Sequence, residues 1–355
     1  MNSKHIKCTF LPSSPIKITS FKLSEWCIKE KLYKDHYTDV TLYVHKKSKI
    51  QGALKLYMKK YMSPSELKRK KLDFKKEVEI HYIMDGLNYV LPLWFWFETK
   101  EYFGLMTKYM NNGYLLKNIY NYNCNSEKSI VLNIIYPLLK AVFYLHTNNI
   151  VHRDIKPANI FIHNSNLYLG DFGYSITLSK DEYCTDLAGT ITYMAPELLY
   201  YYIGKTQVLK YKYEVDIWAI GIIVYETLFH LKPFGLTIYK NFSREDPSKG
   251  DFVAKCLKTE LFIPENKISN EAEDFIRACL NKNPLNRQNI KQLINHRWII
   301  NYLKDIIDIN TLVKNKCHSL DLDQICHFKP PIQKETSPKM NPSKIWCFKS
   351  RCCTF

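Results

Sequence analysis

The 355-residue sequence has only 11 glycines, and no apolar run in it approaches the roughly 18 residues that suggest a membrane-spanning helix. Its first residues lack the apolar core of a signal peptide. The 11 cysteines form no C-x-x-C pair and no Cys/His zinc spacing, and an odd count in a chain without a signal peptide is typical of reduced thiols. These absences predict a soluble intracellular protein, with the cytoplasm as its first expected location and a membrane-associated or nuclear location left open.

Acidic residues are in the minority. The sequence has 51 Lys and Arg against 34 Asp and Glu, a net charge of +17, which favours acidic partners through long-range electrostatics. The densest basic run is Lys68-Arg69-Lys70-Lys71. It can be interpreted as a nuclear-import or polyanion patch, or as a solvated face leading into a helix, and we favour the solvated face. No base-reading or stacking motif accompanies the run, so nucleic acid is not predicted as a partner.

The chain changes character along its length. Residues 1–25, with Pro12 and Pro15, show no clear periodicity and are predicted to be a flexible extension. Apolar alternation then predicts a small lobe with one helix and five strands, at 26–32, 40–44, 50–57, 89–97 and 104–107, the helix at 74–84. Helical periodicity follows, at 130–148, 216–229, 272–280 and 290–300. This order predicts an α+β fold of two lobes with a ligand cleft between them.

The strongest chemical motif is Val151-His152-Arg153-Asp154-Ile155-Lys156-Pro157-Ala158-Asn159-Ile160. Asp154 can accept the proton of an attacking hydroxyl, and Lys156 can neutralise charge on a phosphoryl group in transfer. Asn159 offers an amide oxygen to Mg²⁺, and twelve residues later Asp171-Phe172-Gly173 offers a carboxylate. These residue types at these spacings indicate phosphoryl transfer.

The sequence resembles the eukaryotic protein kinase superfamily through the order and spacing of its motifs. Ala195-Pro196-Glu197 follows the Asp-Phe-Gly motif by 24 residues, and Asp216-Ile217-Trp218 and Asn283-Pro284-Leu285-Asn286-Arg287 come after it. The resemblance implies a bilobal kinase domain over 26–300, with an N-lobe at 26–107, a hinge at 108–113 and a C-lobe at 114–300. It further implies ATP and Mg²⁺ as cofactors and protein substrates.

The resemblance also implies roles for residues of the N-lobe. Lys55, in Ala53-Leu54-Lys55, matches the strand lysine that pairs with nucleotide phosphates, and it follows Val40 by the fifteen residues seen in the family. Its helix partner is expected to be Glu77, with Glu79 as the alternative. Val40, Ala53 and the backbone of Lys108 and Met110 would line the nucleotide site, with Thr107 as the gatekeeper.

One motif departs from the family. The pattern Gly-x-Gly-x-x-Gly-x-Val falls on Tyr33-Lys34-Asp35-His36-Tyr37-Thr38-Asp39-Val40, so that Tyr33, Asp35 and Thr38 replace all three glycines. Glycine at these positions lets backbone N–H groups approach phosphates. The loss leaves two predictions open: an active kinase with a weakened phosphate loop, or a pseudokinase that acts as a binding or allosteric module. The complete set Lys55, Glu77, Asp154, Asn159 and Asp171 favours activity.

The resemblance suggests a serine/threonine enzyme, because Lys156 and Gly189-Thr190 match that class. Arg153 is the residue that usually pairs with a phosphorylated activation loop. At the matching loop position stands Asp186, beside Thr185, so either Asp186 supplies a standing charge or Thr185 is phosphorylated.

Three further residues are expected to have structural roles: Glu197 and Arg287 as buried partners, and Asp216 as a brace for the catalytic loop.

The end of the chain, residues 301–355, is predicted to be a basic, cysteine-containing tail. It closes on Cys352-Cys353-Thr354-Phe355, which fits a prenylation box. Lipidation of Cys352 would attach the protein to a membrane, and a chance match is the alternative.

Overall fold

The computed structural model describes residues 5–10, 20–115, 126–235, 253 and 255–304. One compact unit comprises residues 1–303 and contains almost all of them. The second unit, residues 304–355, includes Cys352 and lies outside the described residues except for its first residue, so the prenylation prediction has no structural counterpart here.

The first eight described strands and helix α1 (Pro64–Ile83) belong to the N-terminal half of the unit. These strands are β1 (His5–Lys7), β2 (Thr9–Phe10), β3 (Ser20–Lys22), β4 (Trp26–Lys34), β5 (Thr38–His45), β6 (Gln51–Met58), β7 (Leu93–Glu98) and β8 (Tyr102–Lys108). Six of them form an antiparallel sheet in the order β2-β7-β8-β6-β5-β4. The register pairs Val40 with Lys55 and Ala53 with Thr107, and directly paired residues project from the same face. The predicted nucleotide-binding side chains therefore share one face of the sheet.

The predicted flexible extension differs from the observed structure. Thr9 and Phe10 pair with Trp96 and Phe95 at the outer edge of the sheet, and β1 pairs with β3 in a separate ribbon. The edge strand β7 offers unpaired backbone groups, which a short segment without hydrophobic alternation can satisfy. Periodicity in the sequence does not reveal such a pairing.

Helix α1 (Pro64–Ile83) is longer at its beginning than the predicted helix at 74–84. Ser63 and Glu66 form a capping box, with Pro64 at the first helical position. The residues Lys70, Phe74, Glu77 and His81 recur at spacings of four, three and four, and so lie on one face of the helix. This face packs on the sheet and carries the residues that matter most for the cleft.

The second half of the unit is helical around one large core. Its helices are α2 (Glu127–Thr147), α3 (Pro196–Tyr202), α4 (Glu214–Phe229), α5 (Asn270–Cys279) and α6 (Ile290–Ile294). Helix α2 is long and apolar enough to cross a membrane, yet Leu138, Leu139, Val142 and Leu145 are all fully buried in the protein core. Its apolar character is that of a core helix.

The helix predicted at 290–300 is interrupted at residues 295 and 296, and helix resumes over 297–304. The His296 imidazole accepts a hydrogen bond from the Trp298 backbone N–H, so this side chain caps the beginning of the second helix.

Four short strands position the loops of the cleft: β9 (Ile150–Val151), β10 (Ile160–His163), β11 (Asn166–Leu169) and β12 (Ile176–Thr177). β9 pairs with β12 and β10 pairs with β11, both antiparallel. The loop from β9 to β10 carries Asp154 and Asn159, and the loop from β11 to β12 carries Asp171. Two small ribbons thus bring two distant segments together under the sheet.

Candidate active site

The catalytic loop holds Asp154 in a dense set of polar contacts. Lys156 Nζ lies 2.7 Å from Asp154 Oδ2, and the Thr190 hydroxyl donates to Asp154 Oδ1 at 2.7 Å. Lys156 Nζ also donates to Thr190 Oγ1 at 2.7 Å. The Asn159 amide N–H donates to the Asp154 backbone carbonyl and to Oδ2. Asp154 is 3 % exposed, and these contacts fix the orientation of its carboxylate at the base of the cleft.

Asp216, at the start of α4, braces this loop from below. Its two carboxylate oxygens accept the backbone N–H groups of His152 at 2.8 Å and Arg153 at 2.9 Å, and His146 bonds to the same side chain. Burial alone would raise the pKa of Asp216, but the hydrogen bond from His146 and the nearby imidazoles outweigh it, and the pKa is lowered. Arg153 has a φ of 68°, a left-handed conformation that this brace sustains.

Gly189 brings the activation segment against the catalytic loop. Its φ of +103° is one that L side chains rarely adopt, and a Cβ atom at this position would collide with the Arg153 carbonyl oxygen. Only glycine therefore lets Thr190 reach Asp154.

The sheet and α1 form the upper half of the site. Lys55 Nζ lies 2.8 Å from Asp171 Oδ1 and 3.4 Å from Glu77 Oε1, and the Tyr57 hydroxyl donates to Glu77 Oε2 at 3.0 Å. Glu79, the alternative partner, pairs instead with Lys75 one turn away on the helix surface. Glu77 is 2 % exposed, whereas Asp171 keeps 40 % of its side chain open. The ion pair is thus fixed on the α1 side and accessible on the other.

The charges of this cluster set its protonation states. Burial acts against the charged form of Lys55, but Asp171 and Glu77 together raise its pKa well above the usual range. Burial would likewise raise the pKa of Asp171, and the Lys55 ammonium overrides that effect and holds the pKa of the carboxyl well below its usual range. Both groups are therefore charged at neutral pH.

The site residues fit a Mg²⁺ ion. Asp171 presents an ionised carboxylate, and Asn159, whose amide nitrogen is engaged by Asp154, retains its amide oxygen. Hard oxygen ligands of this kind are typical of Mg²⁺, which completes its shell with phosphate and water oxygens. The φ of Asp171 is 60°, a left-handed conformation that is uncommon for residues other than glycine.

The rings of His81, Phe172 and His152 form a continuous contact between α1 and the catalytic loop. Phe172 lies 4.6 Å from His81 of α1 and 5.3 Å from His152 of the catalytic loop, measured between ring centroids. All three residues are buried. Neither ring nitrogen of His81 has a hydrogen-bond partner within the part of the chain that the structure describes. Burial, with the nearby Lys55 charge, lowers the pKa of His81 to about 3.

The hinge segment is held by backbone hydrogen bonds from its first two residues. The N–H of Lys108 donates to the Pro92 carbonyl and that of Tyr109 to the Gln51 carbonyl. For the Met110 N–H, no acceptor is found among the described residues. Thr107 bonds through its hydroxyl to the Ala53 carbonyl. The backbone at Met110 can therefore bind the edge of a base lying under Val40 and Ala53.

The glycine-free loop is a hairpin turn closed by its own carboxylate. Asp35 Oδ1 accepts the backbone N–H groups of Tyr37 at 2.8 Å and Thr38 at 2.6 Å, and Oδ2 accepts the Tyr33 hydroxyl at 3.0 Å. The Asp35 N–H in turn donates to the Thr38 carbonyl. Tyr33 and Thr38, two of the three residues that replace glycine, thus hold the third, Asp35, in place.

The activation segment is tied to Arg153. The guanidinium bonds to Asp186 Oδ1 at 2.6 Å, to the Tyr174 carbonyl at 2.6 Å and to the Tyr211 hydroxyl at 3.3 Å. Tyr211 also donates to the Asp186 carbonyl. Thr185 is exposed, and its side chain makes no hydrogen bond within the described ranges. The structure therefore brings Asp186, and not Thr185, to Arg153.

Glu197 and Arg287 form a bidentate pair, with both nitrogen–oxygen distances 2.7 Å. Arg287 also donates to the carbonyls of Glu214 and Asn281 and stacks on Trp218. This side chain fixes the end of the activation segment to α4.

Sequence reasoning missed three contributors to the site: Tyr57, Thr190 as a direct partner of Asp154, and Tyr211. The position of Tyr57, two residues after Lys55 on one strand, places it on the same face and could have indicated its contact with Glu77. No local signal marks Tyr211, because its contacts cross 25 and 58 residues of sequence.

Comparison with known proteins agrees with this geometry. The family model described as "Protein kinase domain" matches residues 28–299, just inside the predicted domain of 26–300. An Aurora kinase of Yarrowia lipolytica is 32% identical over 304 residues, covering 84% of this chain and 76% of the relative. An Aurora kinase of Eremothecium gossypii is 30% identical and covers 80% and 71%.

A third relative has a different name. It is a probable cell cycle serine/threonine-protein kinase, a CDC5 homolog of Encephalitozoon cuniculi, 30% identical over 68% of this chain and 49% of the relative. Relatives of this kind support the interpretation as an enzyme, and nothing in them supports a pseudokinase. This chain belongs to the protein kinase family and is a serine/threonine protein kinase.

Proposed function

We propose that this kinase transfers the γ-phosphate of Mg·ATP to serine and threonine hydroxyls of protein substrates through Asp154, and that it does so without prior phosphorylation of its activation segment. The observation that supports this most directly is the meeting of Asp154, Lys156 and Thr190 with the Lys55–Asp171 pair in one cleft.

Asp154 has the role of orienting the acceptor hydroxyl and taking its proton. Its Oδ1 is held by Thr190 and its Oδ2 by Lys156, so the carboxylate cannot rotate away from an incoming hydroxyl. Lys156 stabilises negative charge that develops on the transferred group. When bound at Asn159 and Asp171, Mg²⁺ supplies the positive charge that neutralises the nucleotide phosphates.

Lys55 and Glu77 hold the nucleotide and couple it to α1. Lys55 is charged and partly exposed to the cleft, and Glu77 with Tyr57 keeps it in place. The base binds beneath Val40 and Ala53, with the backbone of Lys108 and Met110 along its edge.

Asp186 supplies the charge that a phosphorylated residue provides in many kinases. Its carboxylate makes a charge-assisted bond to Arg153, whose backbone N–H is fixed by Asp216 next to the catalytic Asp154. Burial acts to lower the pKa of Arg153, and the contacts with Tyr211 and Asp186 raise it, so the guanidinium stays charged.

A phosphotransfer assay on a generic basic protein tests this function. Wild type should transfer phosphate with Mg·ATP, and Asp154→Asn should lower the rate by at least about a thousandfold, since it loses the proton acceptor and keeps the side-chain volume. A thermal shift with Mg·ATP should remain in the variant, because Asp154 does not hold the nucleotide. If wild type shows neither transfer nor a thermal shift, the proposal is wrong.

We place the protein in the cytoplasm as the simplest location for such an enzyme. Prenylation at Cys352 is a separate proposal that depends on the sequence alone. An intact-mass comparison with Cys352→Ser tests it, and equal lipid content in the two proteins would contradict it.

A further inference from the structure

The phosphate loop of this kinase has an anion of its own. The Tyr37 and Thr38 N–H groups, at the positions where a glycine-rich loop presents backbone donors to phosphate, both donate to the Asp35 carboxylate. The carboxylate thus takes the place that a phosphate oxygen would occupy. These two donors are not available to a nucleotide while the hairpin stays closed, so phosphate binding requires another source of positive charge.

Lys70 of α1 is a second ammonium group close to Lys55. Lys70 Nζ lies 3.5 Å from the centroid of the Tyr57 ring, and Lys55 Nζ lies 5.0 Å from the same centroid. Tyr57 comes two residues after Lys55 on β6 and pairs with Thr38 at the hairpin. Lys70 therefore contacts a residue that is nearer than Lys55 to the hairpin turn along β6.

The surroundings of Lys70 leave its charge uncompensated by a direct partner. Within the described ranges it makes no ion pair shorter than 4 Å, whereas its neighbours Arg69, Lys71 and Lys75 pair with carboxylates. Desolvation lowers its pKa, the charge of Lys55 acts in the same direction, and Glu77, Asp73 and Asp171 oppose it. A partly buried cation without a carboxylate of its own, next to a site for a polyanion, is a candidate for binding that polyanion.

The charge balance of the cleft supports the same assignment. Asp35, Glu77 and Asp171 bring three carboxylates to the loop and the ion-pair cluster, where Lys55 pairs with both Glu77 and Asp171. A nucleoside triphosphate adds several further negative charges. Lys70 and the metal ion would offset the electrostatic repulsion between these carboxylates and the phosphates, which the backbone N–H groups of the loop do not reduce.

We propose that Lys70 is a nucleotide-binding residue that contacts the terminal phosphates of ATP and replaces the charge-stabilising contacts of the missing glycine loop. This inference rests on the proposed ATP-dependent activity. Lys70 would contact the phosphates without taking part in the phosphoryl transfer itself.

Isothermal titration calorimetry with ATP, ADP and AMP tests the proposal on the full chain. Lys70→Met should weaken ATP and ADP binding about tenfold and leave AMP binding unchanged, because the contact is to phosphates that AMP lacks. Lys70→Arg should retain most of the ATP affinity. Lys68→Met is the matched control, since Lys68 is an exposed lysine on the same helix, and it should behave like wild type.

Affinity for AMP is the internal reference for folding, because a misfolded variant loses AMP and ATP binding together. If Lys70→Met has that defect, Lys70→Gln is the second variant. An ATP-to-AMP affinity ratio equal to that of wild type in a folded variant would overturn the proposal and leave Lys70 as a packing residue on Tyr57. Wild type that binds no ATP and transfers no phosphate would instead refute the proposed function.

Discussion

Asp186 carries the clearest consequence at the scale of single residues. Its carboxylate makes the 2.6 Å contact with Arg153 that a phosphorylated side chain provides elsewhere in the family, and Thr185 faces solvent beside it. A standing charge cannot be removed by a phosphatase, so the segment should be ordered whenever the protein is folded.

We expect Asp186→Ala to lower phosphotransfer about tenfold, equal to about 1.4 kcal/mol in the barrier, and Thr185→Ala to change it less than about twofold. Rates on a generic substrate, measured after phosphatase treatment of the enzyme, check this. The opposite result, with Thr185→Ala inactive and Asp186→Ala active, would assign regulation to phosphorylation of Thr185.

The sequence predicts some of the residues in the cleft and gives no signal for the contacts of others. Lys55, Asp154, Asn159 and Asp171 are recognisable because phosphoryl transfer demands these residue types at fixed spacings. The loss of the three glycines predicts a weakened phosphate loop, but it does not predict that the Asp35 carboxylate is occupied within the turn. Aspartate readily accepts backbone N–H groups two or three residues ahead, so the local chemistry allowed this outcome, but a family pattern of glycines says nothing about it.

At the scale of elements, the β4–β5 hairpin is a lid stabilised from within. Asparagine can replace Asp35 and keep an oxygen acceptor for the Tyr37 and Thr38 N–H groups while removing the charge. The hairpin should therefore retain its shape and repel phosphate less.

We expect Asp35→Asn to bind ATP about threefold to tenfold more tightly than wild type, as calorimetry would show, because a like charge near the phosphates is lost. Asp39→Asn is the matched control, since Asp39 lies in the same hairpin and its carboxylate accepts a hydrogen bond from the Thr41 hydroxyl. Equal ATP affinity in Asp35→Asn and wild type would mean that the loop charge does not reach the nucleotide.

Helix α1 contains an unsatisfied polar group at its packed face. His81 is buried, contacts the Phe172 ring and has two unpartnered ring nitrogens among the described residues. Leucine is close to histidine in volume and needs no hydrogen bonds. We expect His81→Leu to raise the free energy of unfolding by about 1–3 kcal/mol, measured by chemical denaturation at pH 7.

The same substitution should change the pH dependence of stability. The pKa of His81 falls from 6.5 in the unfolded chain to about 3 in the folded protein, so below pH 6.5 the unfolded state binds a proton that the folded state does not. Wild type should then lose about 1.4 kcal/mol of stability per pH unit from this group between pH 6 and 4, and His81→Leu should lack that loss. If the stabilities of wild type and His81→Leu change equally with pH over this range, the lowered pKa of His81 in the folded protein is contradicted.

For the molecule as a whole, hydrophobic pattern predicted the two lobes, because alternation and helical periodicity report directly on which face is buried. Most strand and helix positions follow from it, and the family match at 28–299 lies within the predicted domain. The pattern could not place Lys70 beside Tyr57 or Tyr211 beside Arg153. Those contacts depend on how elements far apart in sequence pack, which periodicity within one element does not encode.

The pairing of Thr9 and Phe10 with β7 has a practical consequence for handling the protein. A recombinant domain cut at residue 28, where the family match begins, would lack β2 and leave Phe95 and Trp96 on an unpaired sheet edge. Exposed apolar edges recruit strands from other molecules. Such a fragment would self-associate, and a kinase preparation that begins upstream of residue 9 would stay monodisperse for the same reason.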